Sequence, residues 1–184
     1  MAEPLEDQIA RKIANAHELY YRLILVIGPT GSGKTKALQK VSASASAPLI
    51  NVNLDLSRGL LDLPTRRRAL QASRLLGDII DEAVGDLVLL DNTELLFDVA
   101  LKLDPLRLLQ SLSRNKTLVV AWNGAIGAAD LTASSDQSST IAVSTANATA
   151  HAYLHYAVQG HPEYRRYPVS DLLIVRTTLP TRNR

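Results

Sequence analysis

The chain of 184 residues contains no cysteine and has one methionine, one tryptophan and one phenylalanine. The absence of thiols excludes disulfide bonds, thiolate zinc sites and cysteine nucleophiles, and it fits a reducing compartment. A strong charge of one sign is also missing, since 20 Lys and Arg face 18 Asp and Glu, for a formal net charge of +2. So small an excess does not by itself indicate nucleic-acid binding.

Long hydrophobic runs are absent as well. The apolar run at residues 23–27 is far shorter than the roughly 18 to 20 residues that cross a bilayer. The N-terminus carries the acids Glu3, Glu6 and Asp7, where a secretion signal carries basic residues. We therefore expect a cytoplasmic protein without membrane contact. The length and the hydrophobic content of 46% are those of one domain over residues 1–184.

Helix and strand patterns alternate along the chain. Apolar residues recur at helical spacing within residues 1–22, and further helices are predicted at residues 35–47, 65–83 and 104–114. Short apolar runs predict five strands, at residues 23–27, 49–54, 87–90, 117–122 and 172–175. This alternation predicts an α/β sandwich with a five-stranded, mainly parallel sheet.

One segment departs from the alternation. Residues 125–158 are rich in Ala, Ser and Thr and contain no Lys or Arg. The first half, through residue 139, is typical of a flexible loop, whereas residues 141–158 alternate enough to permit a hairpin. We expect either an insertion or a hairpin here.

Residues 28–35 match the pattern of Gly, four residues, Gly, Lys, then Ser or Thr. The match lies between a predicted strand and a predicted helix, as a phosphate-binding P-loop requires. We therefore expect the α/β sandwich to be a three-layer sandwich of the P-loop NTPase type. Glycines let backbone N–H groups turn toward phosphates, and the helix N-terminus adds positive potential. We predict binding of ATP with Mg²⁺, in which Lys34 contacts the β- and γ-phosphates and the Thr35 hydroxyl binds the metal. The predicted nucleotide-binding residues are Gly28, Pro29, Thr30, Gly31, Ser32, Gly33, Lys34 and Thr35.

The metal needs a second protein ligand, and Asp91 is the candidate. It ends the buried strand at residues 87–90, where P-loop proteins carry a metal-binding Asp, so we predict a metal and catalytic role. The alternative is an Asp that caps the turn after a strand. The next residue is Asn92, where efficient ATPases often carry a Glu, and the sequence therefore leaves hydrolysis open.

Two further polar residues are catalytic candidates. Glu94 is either a general base for the attacking water or a solvated Glu at a helix N-terminus. Asn123 closes the fourth predicted strand, where its side chain either faces the γ-phosphate and its water or organises the turn with Gly124.

Three consecutive cations, Arg66, Arg67 and Arg68, open the long helix predicted at residues 65–83. The helix dipole disfavours cations at that end. They therefore either contact DNA or an acidic partner, or lie along the surface with their charged ends in water.

The order of these elements resembles the core of AAA+ ATPases. Four stretches, at residues 89–97, 103–112, 118–124 and 160–168, more narrowly resemble the small BrxF-like P-loop proteins of bacteriophage-exclusion (BREX) systems. The resemblance covers most of the chain. It implies an accessory ATPase of a phage-resistance system that forms a homo-oligomer, with a ring expected. It also implies other phage-exclusion proteins as partners, including a DNA methyltransferase, with DNA contacted directly or through them.

The AAA+ resemblance further implies an arginine finger that reaches the site of a neighbouring subunit. Arg165 or Arg166, just before the fifth predicted strand, is the candidate, and the alternative is a solvated basic pair near Glu163. Because the sequence ends at Arg184, we expect an AAA+-like core without the helical lid. The residues that such a lid would contribute to the site are then either missing or supplied by another chain.

Two functions of different classes follow from these patterns. The first is an oligomeric ATPase. The second is a nucleotide-gated assembly scaffold with little or no hydrolysis, and it stays an alternative because Asn92 stands where efficient ATPases often carry a Glu. A small-molecule kinase is a third and less attractive interpretation, because neither an acceptor pocket nor an Arg-bearing lid can be located in the sequence.

Overall fold

The computed structural model describes residues 3–128 and 152–177. Residues 129–139 of the predicted loop, and residues 141–151 of the predicted hairpin, lie outside this part. The loop prediction was wrong for residues 125–128, which belong to a strand. The helices are α1 (Leu5–Ala16), α2 (Lys34–Ala45), α3 (Val52–Leu60), α4 (Thr65–Glu82) and α5 (Pro105–Leu112). The strands are β1 (Leu23–Gly28), β2 (Leu49–Asn51), β3 (Leu87–Asp91), β4 (Thr117–Ala128), β5 (Ala152–Tyr156), β6 (Arg165–Pro168) and β7 (Leu173–Arg176). Two 3-10 helices, Glu94–Phe97 and Val99–Leu101, follow β3.

Five parallel strands form the centre of the sheet in the order β2-β3-β4-β1-β7. Strand β1 lies between β4 and β7, so that Ile24 faces Val119 on one side and Leu173 on the other. The predicted mainly parallel α/β sheet flanked by helices is confirmed. Since these strands are parallel, β1, β3 and the parallel part of β4 reach the same border of the sheet, here called the carboxyl edge. They begin at the opposite border, the amino edge.

The predicted strand count was wrong, because the described part of the sheet has seven strands and not five. Strand β4 continues past Asn123, and its second half pairs antiparallel with β5, which pairs antiparallel with β6. The prediction ended β4 at residue 122, because the continuous apolar run gives way there to Asn, Gly and Ala around a single Ile126. Residues 124–128 still form backbone ladder bonds with β5, which need no continuous run of hydrophobic side chains.

Two element boundaries also differ from the prediction. Strand β2 ends at Asn51 and not at residue 54, because the Asn51 side chain accepts a hydrogen bond from the Leu54 N–H at 3.1 Å and caps α3. Helix α1 ends at Ala16 and not at residue 22, since the Leu19 N–H donates to the Ala16 carbonyl in a turn that leads to β1.

The sheet has a hydrophobic core on each face. Helices α1 and α2 cover one face, where Ile9 and Leu38 pack with Ile24. Helices α3, α4 and α5 cover the other face, where Leu56 and Leu76 are fully buried. The two cores fix the carboxyl edge as a rigid border on which loops carry the polar residues described below.

Aromatic rings attach the β5–β6 hairpin to the body of the protein. Phe97 stacks on Tyr156 with ring centroids 3.4 Å apart, and it packs edge-to-face with Trp122 with ring centroids 4.9 Å apart. Tyr167 contacts Trp122 from β6 and donates a hydrogen bond to Asp104 at 3.0 Å. The hairpin is therefore anchored beside the carboxyl edge.

No helix in residues 3–128 or 152–177 is both long enough and apolar enough to span a membrane.

Candidate functional site

The glycine-rich loop at residues 28–35 joins β1 to α2 at the carboxyl edge. Gly31 and Gly33 have φ angles of 79° and 90°, which glycine adopts without steric cost. The Ser32 N–H donates to the Pro29 carbonyl at 3.2 Å, which closes the turn. Helix α2 begins directly after this turn, so its N-terminal N–H groups and its positive dipole end lie at the loop.

A cleft of about 490 Å³ opens beside the loop. The predicted residues that line it are Thr30, Gly31, Gly33, Lys34, Thr35, Asp91, Glu94 and Asn123. Lys36, Gln39, Asn92 and Ala121 complete the lining. Gly28, Pro29 and Ser32 do not line the cleft, and instead form the part of the loop that holds Lys34. The fold therefore brings the loop, the end of β3 and the end of β4 to one cavity.

Lys34 is buried at the centre of the loop, with 5% of its surface exposed. Its ammonium group donates to the carbonyls of Gly28 and Pro29, both at 2.7 Å. Burial lowers the pKa of Lys34, and the negative charges of Asp91 and Glu94 oppose that shift. A desolvated cation at a helix N-terminus forms an attractive site for an anion.

Asp91 is buried at the carboxyl end of β3, next to Asn51 of β2. The hydroxyl of Thr93, two residues later, donates to the Ala121 carbonyl at 2.8 Å and ties this turn to β4. Thr35 and Asp91 offer the hard oxygen ligands that Mg²⁺ prefers. The described residues contain no group of three or more His, Cys, Asp or Glu that could hold a metal, so Mg²⁺ here would take its remaining ligands from phosphate and water.

Asn92 adopts a left-handed backbone conformation with φ of 51°. Asn tolerates this conformation better than most residues, whereas Glu would be strained. The Asn92 carbonyl accepts a hydrogen bond from the Asn53 N–H at 2.9 Å. The backbone turn thus gives a physical reason for Asn at the position after Asp91.

Glu94 begins the first 3-10 helix and is half-buried in the cleft. One carboxylate oxygen accepts a hydrogen bond from the Asn53 amide at 2.8 Å, and the other accepts one from the Asn123 amide. The carboxylate is therefore held by two side chains and is not surrounded by water. The same contact directs the Asn123 side chain into the cleft.

Asn53 is a site residue that the sequence reasoning missed, because residue 53 was assigned to a strand. It lies near the start of α3, and its side-chain oxygen also accepts the Leu95 N–H at 2.8 Å. The signal available in the sequence was the pair Asn51 and Asn53 at the end of the strand predicted at residues 49–54. The carboxyl ends of parallel strands meet at one edge of a sheet, where polar side chains form sites.

Arg165 and Arg166 lie on β6 and do not line the cleft. The Arg165 guanidinium donates to the Tyr164 carbonyl at 3.0 Å. The Arg166 guanidinium lies over the ring of Tyr153, 3.7 Å from its centroid. Both arginines thus belong to the hairpin beside the carboxyl edge.

Arg66, Arg67 and Arg68 lie in the first turn of α4, as predicted, and are likewise outside the cleft. Arg66 and Arg67 are exposed, whereas Arg68 is half-buried and donates to the Leu63 carbonyl at 2.8 Å.

Comparison of the chain with protein-family models, curated proteins and solved structures finds no significant match. The functional argument therefore depends on the cleft and the residues that line it.

Proposed function

We propose that this protein binds ATP with Mg²⁺ in the cleft and hydrolyses it, as an oligomeric, AAA+-like accessory protein of a BREX-type phage-resistance system. The observation that supports nucleotide binding is the convergence of the glycine-rich loop, Lys34, Asp91 and the Glu94–Asn123 pair on one cleft. The phage-exclusion role, its methyltransferase and DNA partners, and the cytoplasmic location depend on the sequence patterns and the resemblance alone.

The residues of the loop fit a bound polyphosphate. The left-handed Gly31 and Gly33 and the N-terminus of α2 offer backbone N–H donors. Lys34 has two short hydrogen bonds to loop carbonyls, and its remaining contact, to the Ser32 hydroxyl, is long at 3.4 Å. The third ammonium proton makes only this long contact, and it can be donated to a phosphate oxygen instead. When bound, Mg²⁺ would neutralise charge on the phosphate oxygens.

Hydrolysis requires a group that orients a water molecule and takes its proton. Glu94 is the candidate base, and the Asn53 and Asn123 amides hold its carboxylate at the cleft. The water oxygen bonds to the γ-phosphorus while the bond to the bridging oxygen breaks. The products are ADP and inorganic phosphate.

The nucleotide-gated scaffold is the second candidate function. Both Glu94 oxygens already accept amide hydrogen bonds, so an attacking water would have to share or displace one of them. Asn92 offers no carboxylate in its place. This arrangement favours a protein that retains ATP and hydrolyses it slowly.

The proposal includes an oligomer because an arginine finger acts on the nucleotide bound by a neighbouring subunit. Arg165 or Arg166 of one copy would contact the phosphates bound by its neighbour, which agrees with the absence of both residues from the cleft of their own chain. The Arg165→Ala and Arg166→Ala variants test the role. We expect one of them to lower phosphate release by at least tenfold without loss of ATP binding, and unchanged release in both would remove the finger from the proposal.

Nucleotide binding is tested with a fluorescent ATP analogue and Mg²⁺. We expect Lys34→Ala to weaken affinity at least tenfold, because it removes the buried cation at the loop. Lys12→Ala, on α1 and outside the cleft, is the matched control and should bind as wild type does. Equal affinity of wild type and Lys34→Ala would overturn the proposal.

Phosphate release separates the two candidate functions. If the protein is an ATPase, Glu94→Gln should keep ATP affinity and lose release at least a hundredfold, since general-base catalysis contributes about 10² to 10⁴. If wild type releases phosphate no faster than Lys34→Ala, the scaffold is the better description.

A further inference from the structure

A second cavity, here called the side pocket, opens beside the glycine-rich loop and has a volume of about 250 Å³. Its walls come from the start of α1, the first turns of α2 and the end of β7. The lining includes Leu5, Gln8, Gly33, Lys36, Ala37 and Arg176. Gly33 and Lys36 also line the cleft, so a ligand that fills the cleft can extend into the side pocket.

The cleft and the side pocket lie on opposite sides of β1. Strand β1 separates β4 from β7 in the sheet. The cleft lies toward β3 and β4, where Asp91 and Asn123 line it, and the side pocket lies toward β7, whose last residue is Arg176. A γ-phosphate must lie beside Glu94 if that carboxylate is to act on the attacking water. The nucleoside then leaves the loop in the other direction, which is that of the side pocket.

The two acids that line the side pocket are engaged within the chain. Glu3 pairs with Arg11 at 2.7 Å, and Glu6 pairs with Lys40 at 2.5 Å. The hydrogen bond from Lys40 lowers the pKa of Glu6, and the charge of Lys36 adds to that shift. The negative charges of the pocket are therefore balanced by cations and do not exclude a nucleotide.

Arg176 is exposed at the end of β7 and forms no ion pair within residues 3–128 and 152–177. A guanidinium group is planar and stacks on the face of a nucleobase. Leu5 and Ala37 supply apolar contacts in the same pocket. The side pocket therefore offers a planar cation and apolar side chains to an aromatic ring.

Gln8 supplies a polar group that can bind the edge of a base. It is partly buried on α1, and one of its amide protons is donated to the Glu3 carbonyl at 2.9 Å. The other amide proton and the side-chain oxygen remain for a ligand. A Gln side chain forms two hydrogen bonds with adenine, because it accepts from N6 and donates to N7. Guanine presents acceptors at both positions, so the Gln oxygen would have no donor there.

We propose that the side pocket is the nucleoside subsite of this protein and that it selects adenine, with Arg176 stacked on the base and Gln8 bound to N6 and N7. The inference rests on the proposed function, because it needs a triphosphate held by the loop. It deepens that function by naming the residues that distinguish ATP from GTP and from inorganic tripolyphosphate.

Isothermal titration calorimetry tests the proposal with three ligands, ATP, GTP and inorganic tripolyphosphate, each with Mg²⁺. We expect wild type to bind ATP at least about tenfold more tightly than either of the others. Gln8→Leu should lose the preference for ATP over GTP, since one bidentate contact accounts for roughly tenfold discrimination. Arg176→Ala should lower the preference for ATP over tripolyphosphate by about fivefold, because it removes the group that stacks on the base.

Two further variants serve as controls. Lys12→Ala changes α1 one turn after Gln8 and outside the side pocket, so it should keep both preferences. Arg176→Lys keeps the charge without the planar group, so it should lose the preference for ATP over tripolyphosphate as Arg176→Ala does. Circular dichroism shows whether each variant is folded, and Gln8→Asn, whose amide is one methylene shorter, replaces Gln8→Leu if that variant is not.

The outcomes separate the subsite from the phosphate site. Wild type that binds tripolyphosphate as tightly as ATP would overturn the subsite and leave phosphate binding by the loop intact. A preference for GTP, or folded Gln8→Leu and Arg176→Ala variants that keep the wild-type preferences, would also overturn it. Wild type that binds none of the three ligands would instead overturn the proposed function, and the inference with it.

Discussion

Replacing Asn53 by Ala removes two hydrogen bonds that order the cleft. The Asn53 amide donates to Glu94, and its oxygen accepts the Leu95 N–H, both at 2.8 Å. A hydrogen bond to a charged group contributes about 1.5 to 3 kcal/mol, and one between neutral groups about 1 kcal/mol. Because Glu94 is half-buried and partly solvated, we take the lower values. The free energy of unfolding should fall by roughly 2 to 3 kcal/mol in Asn53→Ala.

A double-mutant cycle with Glu94→Ala isolates the bond between the two side chains. The hydrogen bond from the Leu95 N–H is lost in both variants that lack Asn53, so its energy cancels in the cycle. The coupling energy between the Asn53 and Glu94 side chains should then be about 1.5 kcal/mol. Urea unfolding measures each free energy through the fluorescence of Trp122, the single tryptophan, which is fully buried.

The control cycle pairs Glu94→Ala with Asn115→Ala, an exposed Asn at the amino edge. Independent sites usually add within about 0.5 kcal/mol, so this coupling should be no larger. A coupling between Asn53 and Glu94 within the same limit would refute the conclusion that Asn53 holds the carboxylate.

Two further predictions concern the loop and the hairpin. A Cβ at Gly28 would lie 1.8 Å from the Thr177 hydroxyl oxygen, so Gly28→Ala should lower the free energy of unfolding by about 2 to 3 kcal/mol, measured by thermal unfolding. Gly31→Ala meets nothing within 4 Å and should cost only the backbone strain of about 1 kcal/mol; equal losses would contradict the close contact at Gly28. Burial, with the charges of Glu163 and Glu94, raises the pKa of Tyr156 from 10.0 to about 12. The folded protein therefore favours the neutral phenol, and the stability that this preference contributes is complete below pH 10 and is lost as the pH rises to about 12. The free energy of unfolding should fall by roughly 2 kcal/mol over that range from this residue, and an identical pH slope in Tyr156→Phe would argue against it.

Local sequence patterns determined the parts of the site that depend on neighbouring residues. The glycine-rich loop between a strand and a helix, Asp91 at the end of a buried strand, and the Asp104 cap of α5 are all read from short segments. The Asp104 cap is confirmed by its hydrogen bond from the Arg107 N–H at 3.2 Å. Such features are encoded locally, because turns, caps and apolar runs involve residues a few positions apart.

The tertiary structure alone decided the contacts between distant segments. Asn53 and Glu94 are 41 positions apart, and no local pattern could pair them. The end of β4 consists of Gly and Ala around the single Ile126, too weak an apolar pattern to predict a strand, and it becomes a strand because β5 supplies hydrogen-bond partners. The sequence by itself thus determined a glycine-rich loop and an Asp on neighbouring parts of an α/β fold. Strand pairing decided which amides hold Glu94, because backbone and side-chain partners are fixed only when the sheet forms.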